Sequence, residues 1–122
     1  MERVVGIGGF FFRAGDPEAL AAWYEANLGI PSMGSGGVWV QESGPTAFAP
    51  FASDTDYFGR RDQHCMLNFR VGDLDAMLAQ LRAAGVPVED DVVDESYGRF
   101  AYAVDPEGYR FELWQPAEPP ES

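Results

Sequence analysis

The chain has 122 residues, 46% of them apolar and 23% charged, ordinary usage for one globular domain spanning 1–122. Its formal net charge of −12 argues against nucleic acid, whose phosphates need Lys and Arg, and against anionic membrane surfaces. No apolar run approaches the roughly 18 residues of a membrane helix; the N-terminal apolar stretch does not read as a secretory signal; and Cys65, alone in the sequence, cannot form an internal disulfide and fits a reducing cytoplasm.

In chain order, the aromatic run ending at Arg13 reads as a strand. Asp16 is a good N-cap, because its carboxylate can accept orphan N–H groups of a first helical turn, and Pro17 suits the first helical position. Leu20, Trp23, Tyr24 and Leu28 recur at helical spacing, and Gly29 is placed to end the helix. GGVWVQES and PTAFAPF read as strands about a turn at Ser43-Gly44. A polar linker, ASDTDYFGRRD, fills residues 52–62. The pattern then starts again: strand MLNFRV, cap Asp73, a helix carrying Leu74, Met77, Leu78 and Leu81, and Gly85 as its stop. VPVEDDVV follows, then GRFAYAV and YRFELWQ on either side of the hairpin turn DPEG. The closing PAEPPES, about 117–122 in its free part, is Pro- and Glu-rich and is expected to be disordered.

The recurrence is a repeat of residues. Phe12, Arg13, Gly15, Asp16, Ala19, Ala22 and Ala26 are matched by Phe69, Arg70, Gly72, Asp73, Ala76, Ala79 and Ala83. Gly29-Ile-Pro then matches Gly85-Val-Pro after a one-residue insertion. Two copies are too few for a solenoid, which needs three or more, and imply two halves that bury faces against each other. Each half reads β-α-β-β-β: module one at about 1–51, module two at about 63–116.

GDPEALAAWYEANLGI, FRVGDLDAMLAQLRAAGV and DPEGYRFELWQP, in this order, resemble the vicinal oxygen chelate superfamily of glyoxalases, bleomycin-resistance proteins and extradiol dioxygenases. The resemblance covers the chain except its tail. It implies an α+β fold in which two βαβββ modules form a cupped, partly open eight-stranded mixed sheet barrel around a ligand pocket. It also implies, in the metal-dependent members, one ligand from the first and one from the last strand of each half. Counted back from Asp16 and Asp73, the first-strand positions are Gly9 and Met66. FELW puts Glu112 at a last-strand position, and aligning Gly44 with Gly108 puts Phe48 at the other, or Ala47 one register away. Gln41 is a weaker candidate on the preceding strand. Of the quartet Gly9, Phe48, Met66 and Glu112, only Glu112 can bind a hard cation, so no metal and no other cofactor is expected.

His64, the only histidine, precedes Met66 by two residues and shares a strand face with Met66 and Asn68. A displaced metal ligand and a solvent-facing strand-end histidine are both consistent with that place. Glu112 lies on a face of mixed character with Arg110 and Trp114, which suits a pocket needing polar anchors among aromatic walls. The leading reading is a small-molecule-binding protein with a degenerate metal site. Glu112 is the catalytic candidate. His64, Asn68, Met66, Trp39, Phe48, Tyr57 and Trp114 are the ligand-binding candidates. Two other readings stand beside it: a metal-dependent lyase, isomerase or dioxygenase using Glu112 with displaced ligands, and a non-catalytic resistance protein sequestering a cationic drug. The superfamily commonly pairs, and with Tyr57 and Phe58 on the linker as apolar surface, a homodimer is expected.

Overall fold

A computed structural model of the chain describes residues 1–32 and 37–118. The expected disordered tail lies, beyond Glu118, outside the described residues. Helix α1 (Pro17–Leu28) begins where Asp16 Oδ1 accepts the Ala19 N–H at 3.1 Å and ends at Gly29, whose φ of 71° is left-handed. Helix α2 (Leu74–Ala83) is capped the same way by Asp73 on Ala76 N at 3.0 Å. Four strands are formed, one before α2 and three after it: β1 (Asn68–Arg70), β2 (Val93–Glu95), β3 (Gly98–Val104) and β4 (Arg110–Pro116). They form one mixed sheet in the order β1-β4-β3-β2, with β1 parallel to β4 and the other pairs antiparallel.

Strand alternation divides the sheet into two faces. Ala101, Ala103, Phe111 and Leu113 face the helices and pack with Leu74, Leu78 and Leu81 of α2. Trp23 and Leu28 of α1 and Phe69 of β1 flank the same core. Phe111, Leu74, Leu81 and Leu113 are essentially fully buried, and each contributes about 1.5–3 kcal/mol through burial. On this side Tyr24 donates its hydroxyl to the buried Asp105 at 2.6 Å. The opposite face carries Asn68, Arg70, Phe100, Tyr102, Arg110, Glu112 and Trp114.

Among the described residues the expected eight-stranded barrel is not formed: the α+β class holds, with a single open four-stranded sheet. The described part of the first half contributes α1 but no strand. Its segments 1–14 and 37–51 run without a backbone ladder, and Phe11 and Phe48 are each 86% exposed. Two features of the sequence work against pairing there. Gly6, Gly8 and Gly9 interrupt the first run, and glycine loses the most backbone freedom in a strand. Pro45 and Pro50 remove ladder donors from the run corresponding to β4. VPVEDDVV likewise gives only an isolated bridge, Val88 with Ala103, before β2.

The two halves still touch in a matched way. The expected turn at Ser43-Gly44 is not formed as a hydrogen-bonded turn, but that segment sits on β1: Arg70 donates to Pro45 O at 2.7 Å, Thr46 Oγ1 at 3.0 Å and Glu42 O at 2.7 Å. A Cβ on Gly44 would lie 3.0 Å from the Arg70 Nε. Reciprocally, the DPEG turn sits on the segment before α1: Glu107 accepts from Gly15 N at 2.5 Å and Asp16 N at 2.9 Å, and Tyr109 Oη donates to Arg13 O at 2.7 Å. Arg70 and Arg13 are repeat equivalents, as are Gly44 and Gly108.

A candidate binding site around Glu112

The DPEG turn sets the register that builds the site. Asp105 Oδ1 accepts the Glu107 and Tyr109 N–H groups at 2.9 and 3.0 Å, Gly108 N–H returns to Asp105 O at 2.9 Å, and Gly108 takes a φ of 88°. Val104 then pairs with Arg110, so Tyr102 falls opposite Glu112 and Phe100 opposite Trp114. On the other side of β4, Asn68 pairs with Glu112 and Arg70 with Trp114. The open face thus carries two cross-strand rows, Asn68–Glu112–Tyr102 and Arg70–Trp114–Phe100.

Glu112 is buried at 8% exposure with both carboxylate oxygens engaged. Asn68 Nδ2 donates to Oε1 at 2.6 Å, and the Tyr57 hydroxyl donates to Oε2. Tyr57 spends its one proton there, so the 2.5 Å contact between the two phenols has Tyr102 donating to Tyr57. Burial, with the hydrogen bond to Glu112 next, pushes the Tyr57 hydroxyl well above its ordinary value, and burial likewise raises Tyr102. Both phenols therefore remain donors at neutral pH. In the second row the Phe100 and Trp114 rings stack nearly parallel, with centroids 5.8 Å apart.

Tyr57 reaches this face because residues 52–62 fold into successive turns, with Thr55 N bonded to Ala52 O at 3.0 Å and Gly59 N to Asp56 O at 3.2 Å. Arg110 anchors it by donating to Tyr57 O while lying 4.0 Å from the Tyr102 ring centroid. Glu89 takes the same guanidinium in two bonds of 2.7 and 3.0 Å, and that hydrogen bonding holds its carboxyl below the ordinary value. Buried Gln63 closes the segment, exchanging hydrogen bonds with the Arg110 backbone at 2.7 and 2.8 Å.

Of the residues singled out from the sequence, the structure brings Glu112, Asn68 and Tyr57 into one cluster, with Trp114 in the adjoining row. Met66 stands at its margin, its sulfur 3.9 Å from Arg110 Nη1. His64 is exposed and takes no part. Trp39 contacts Phe69 at 6.5 Å, away from Glu112, and Phe48 is exposed. Tyr102 and Phe100 were missed, and Arg110 was read only as a neighbour of Glu112 on its strand face. Their signal lies in the hairpin: a DPEG turn that pairs 104 with 110 also pairs 102 with 112. A cleft of about 310 Å³ lined by Trp23, Val86, Pro87 and Val104 shares no residue with the Glu112 cluster.

The sequence matches the model of the Glyoxalase-like domain family over residues 9–114. The chain belongs to that family. No curated protein matches the sequence. Among solved structures, the glyoxalase-like chain is similar to TnmS3, an antibiotic binding protein from Streptomyces sp. CB03234, at 24% identity and a TM-score of 0.64, with 96% of this chain and 100% of that one covered. It is similar to a protein from the mobile metagenome of V. Pseudocholerae, VPC_CASS1, at 17% identity and a TM-score of 0.61, covering 97% and 99%. It is also similar to the oxidase ChaP-H1, at 18% identity and a TM-score of 0.55, covering 93% and 98%. At these identities the likeness is one of fold. A binding protein and an oxidase share it, so the glyoxalase-like fold does not choose the reaction.

Proposed function

We propose that this glyoxalase-like protein binds a small organic molecule on the open face of its sheet, at the Glu112 cluster and the Trp114–Phe100 stack, with a degenerate metal site. The observation that carries the reading is the convergence there of a buried carboxylate, two phenols and an amide beside a stacked aromatic pair. Few polar anchors among aromatic walls are what orient a small ligand. The donor set does not fit a divalent ion. Gly9 has no side chain, Phe48 no lone pair, and Met66 only a soft thioether. Both oxygens of Glu112 already accept from Asn68 and Tyr57. The protein's acidity favours a cationic molecule, which suits a sequestering role against a drug.

Native mass spectrometry of untagged protein, with Trp fluorescence titration against bleomycin, tests the reading. Expected are a co-purified organic ligand or saturable quenching that Trp114→Ala abolishes. Near-stoichiometric metal that survives dialysis and is lost in Glu112→Ala would overturn it.

A homodimer and a cytoplasmic location belong to the same proposal. Val5, Phe11, Val38, Val40 and Phe48 are all largely exposed in one copy, apolar surface that a second copy would cover. Light scattering at micromolar concentration should give twice the 13.4 kDa chain mass; a monomer mass removes the dimer. No helix among the described residues is long and apolar enough to cross a membrane, and Cys65 is free and exposed, as a reducing compartment allows.

A further inference from the structure

The Tyr57 side chain fills a box whose fixed walls belong to the sheet. Tyr102 meets its ring edge-on at 5.9 Å, Arg110 lies 5.6 Å from the ring centroid, and Glu112 accepts its hydroxyl at the closed end. Phe51 stacks on the outer side at 5.4 Å and is itself 49% exposed, so the box opens toward solvent. Tyr57 enters from a segment of turns that makes no strand ladder with the sheet. The occupant therefore displays what the box accepts. It is a flat ring ending in a hydroxyl that donates to a buried carboxylate and accepts from a second phenol.

Resting on the reading of this face as the ligand site, we infer that Tyr57 is a tethered stand-in and that the ligand is a phenol. The ligand's ring takes the place Tyr57 vacates. Its hydroxyl donates to Glu112 and accepts from Tyr102, reproducing both bonds of the Tyr57 hydroxyl. A ring without a hydroxyl leaves a buried carboxylate oxygen without its donor, which is the strongest discrimination a site of this kind offers. A carboxylate-bearing ring is rejected by Glu112 itself. Tyr57, held beside the box by its own chain, competes at high effective concentration, so small free phenols bind the intact protein weakly.

The test compares p-cresol, toluene and benzoate on the full-length wild type and Tyr57→Ala, by calorimetry and thermal shift. Expected is binding of p-cresol to Tyr57→Ala that raises its Tm and exceeds toluene binding by about ten- to a hundred-fold, the worth of a hydrogen bond to a charged acceptor. Glu112→Gln in the same background should shrink that preference, and the wild type should bind p-cresol more weakly than Tyr57→Ala. Equal binding of p-cresol and toluene, or tighter binding of benzoate, overturns the inference. If Tyr57→Ala does not fold, the wild type labelled with ¹³C-tyrosine decides. Millimolar p-cresol must shift the Tyr57 and Tyr102 ring signals, and unmoved signals overturn the inference. A co-purified ligand without a phenolic hydroxyl, bound through Glu112, would overturn the phenol while leaving the wider small-molecule reading standing.

Discussion

Tyr24 shows how much one hydroxyl can hold. It bridges α1 to the DPEG turn through the buried carboxylate of Asp105, 81 residues away in sequence. Burial, reinforced by that hydrogen bond, raises its pKa well above the ordinary 10.0. Tyr24→Phe removes the donor and leaves Asp105 with only its backbone N–H partners; urea denaturation should show a loss of about 1.5–3 kcal/mol, the range for a hydrogen bond to a charged group. Tyr57 and Tyr102 are raised in the same direction. The sign follows from linkage. A raised folded pKa means the stabilisation is fully present below the unfolded value of 10.0 and is lost as pH rises above it, because only the unfolded chain then releases the proton. Stability should fall above about pH 10, and absorbance at 295 nm should show these three phenols ionising only with unfolding. Early, reversible ionisation of all five tyrosines in the folded protein would contradict this. Glu112 was legible in FELW and Asn68 in its strand face. Tyr57 was singled out as a ligand-binding candidate on the linker, but not as the donor to Glu112. That contact spans 55 residues and depends on the turns of a segment without periodicity, which sequence patterns do not encode.

Helices and turns announced themselves because their signals are local. Asp16, Pro17 and Gly29 bound α1, and Asp73 and Gly85 bound α2, each through contacts within a turn. The β3–β4 hairpin was equally legible from DPEG. The strands of the first half were read from the same aromatic and β-branched composition but make no ladder in the single chain. Strand pairing is a long-range property that composition alone cannot assign. Within the hairpin, Gly98 is a position only glycine fits. Its φ is 141°, and an added Cβ would lie 2.4 Å from both Gln115 O and Trp114 Nε1. Gly98→Ala should destabilise the protein by about 1–3 kcal/mol, the scale of one strained backbone site. It should also displace Trp114 from its stack on Phe100, visible as a shifted emission maximum. Unchanged stability and emission would mean the β3 start relaxes freely.

For the whole molecule, the repeat predicted two halves that bury faces against each other, and what joins them is narrower than a barrel. Among the described residues the joints include the α1 core contact, the segment at Gly44 on Arg70, the DPEG turn on the residues before α1, and Trp39 against Phe69. None of these joints uses the peptide bonds of the connecting segment. Backbone continuity across 52–62 is therefore expected to be dispensable once the protein has folded. The exposed Arg61 in that segment is a place for trypsin to cut. Limited digestion there should give a nicked protein whose two fragments elute together under native conditions and separate only in denaturant. Fragments that part on cutting would show that the reciprocal joints are too weak to hold the halves. Fragments that stay together would make this chain a natural split protein, in which two separately expressed pieces could assemble and report on their own association.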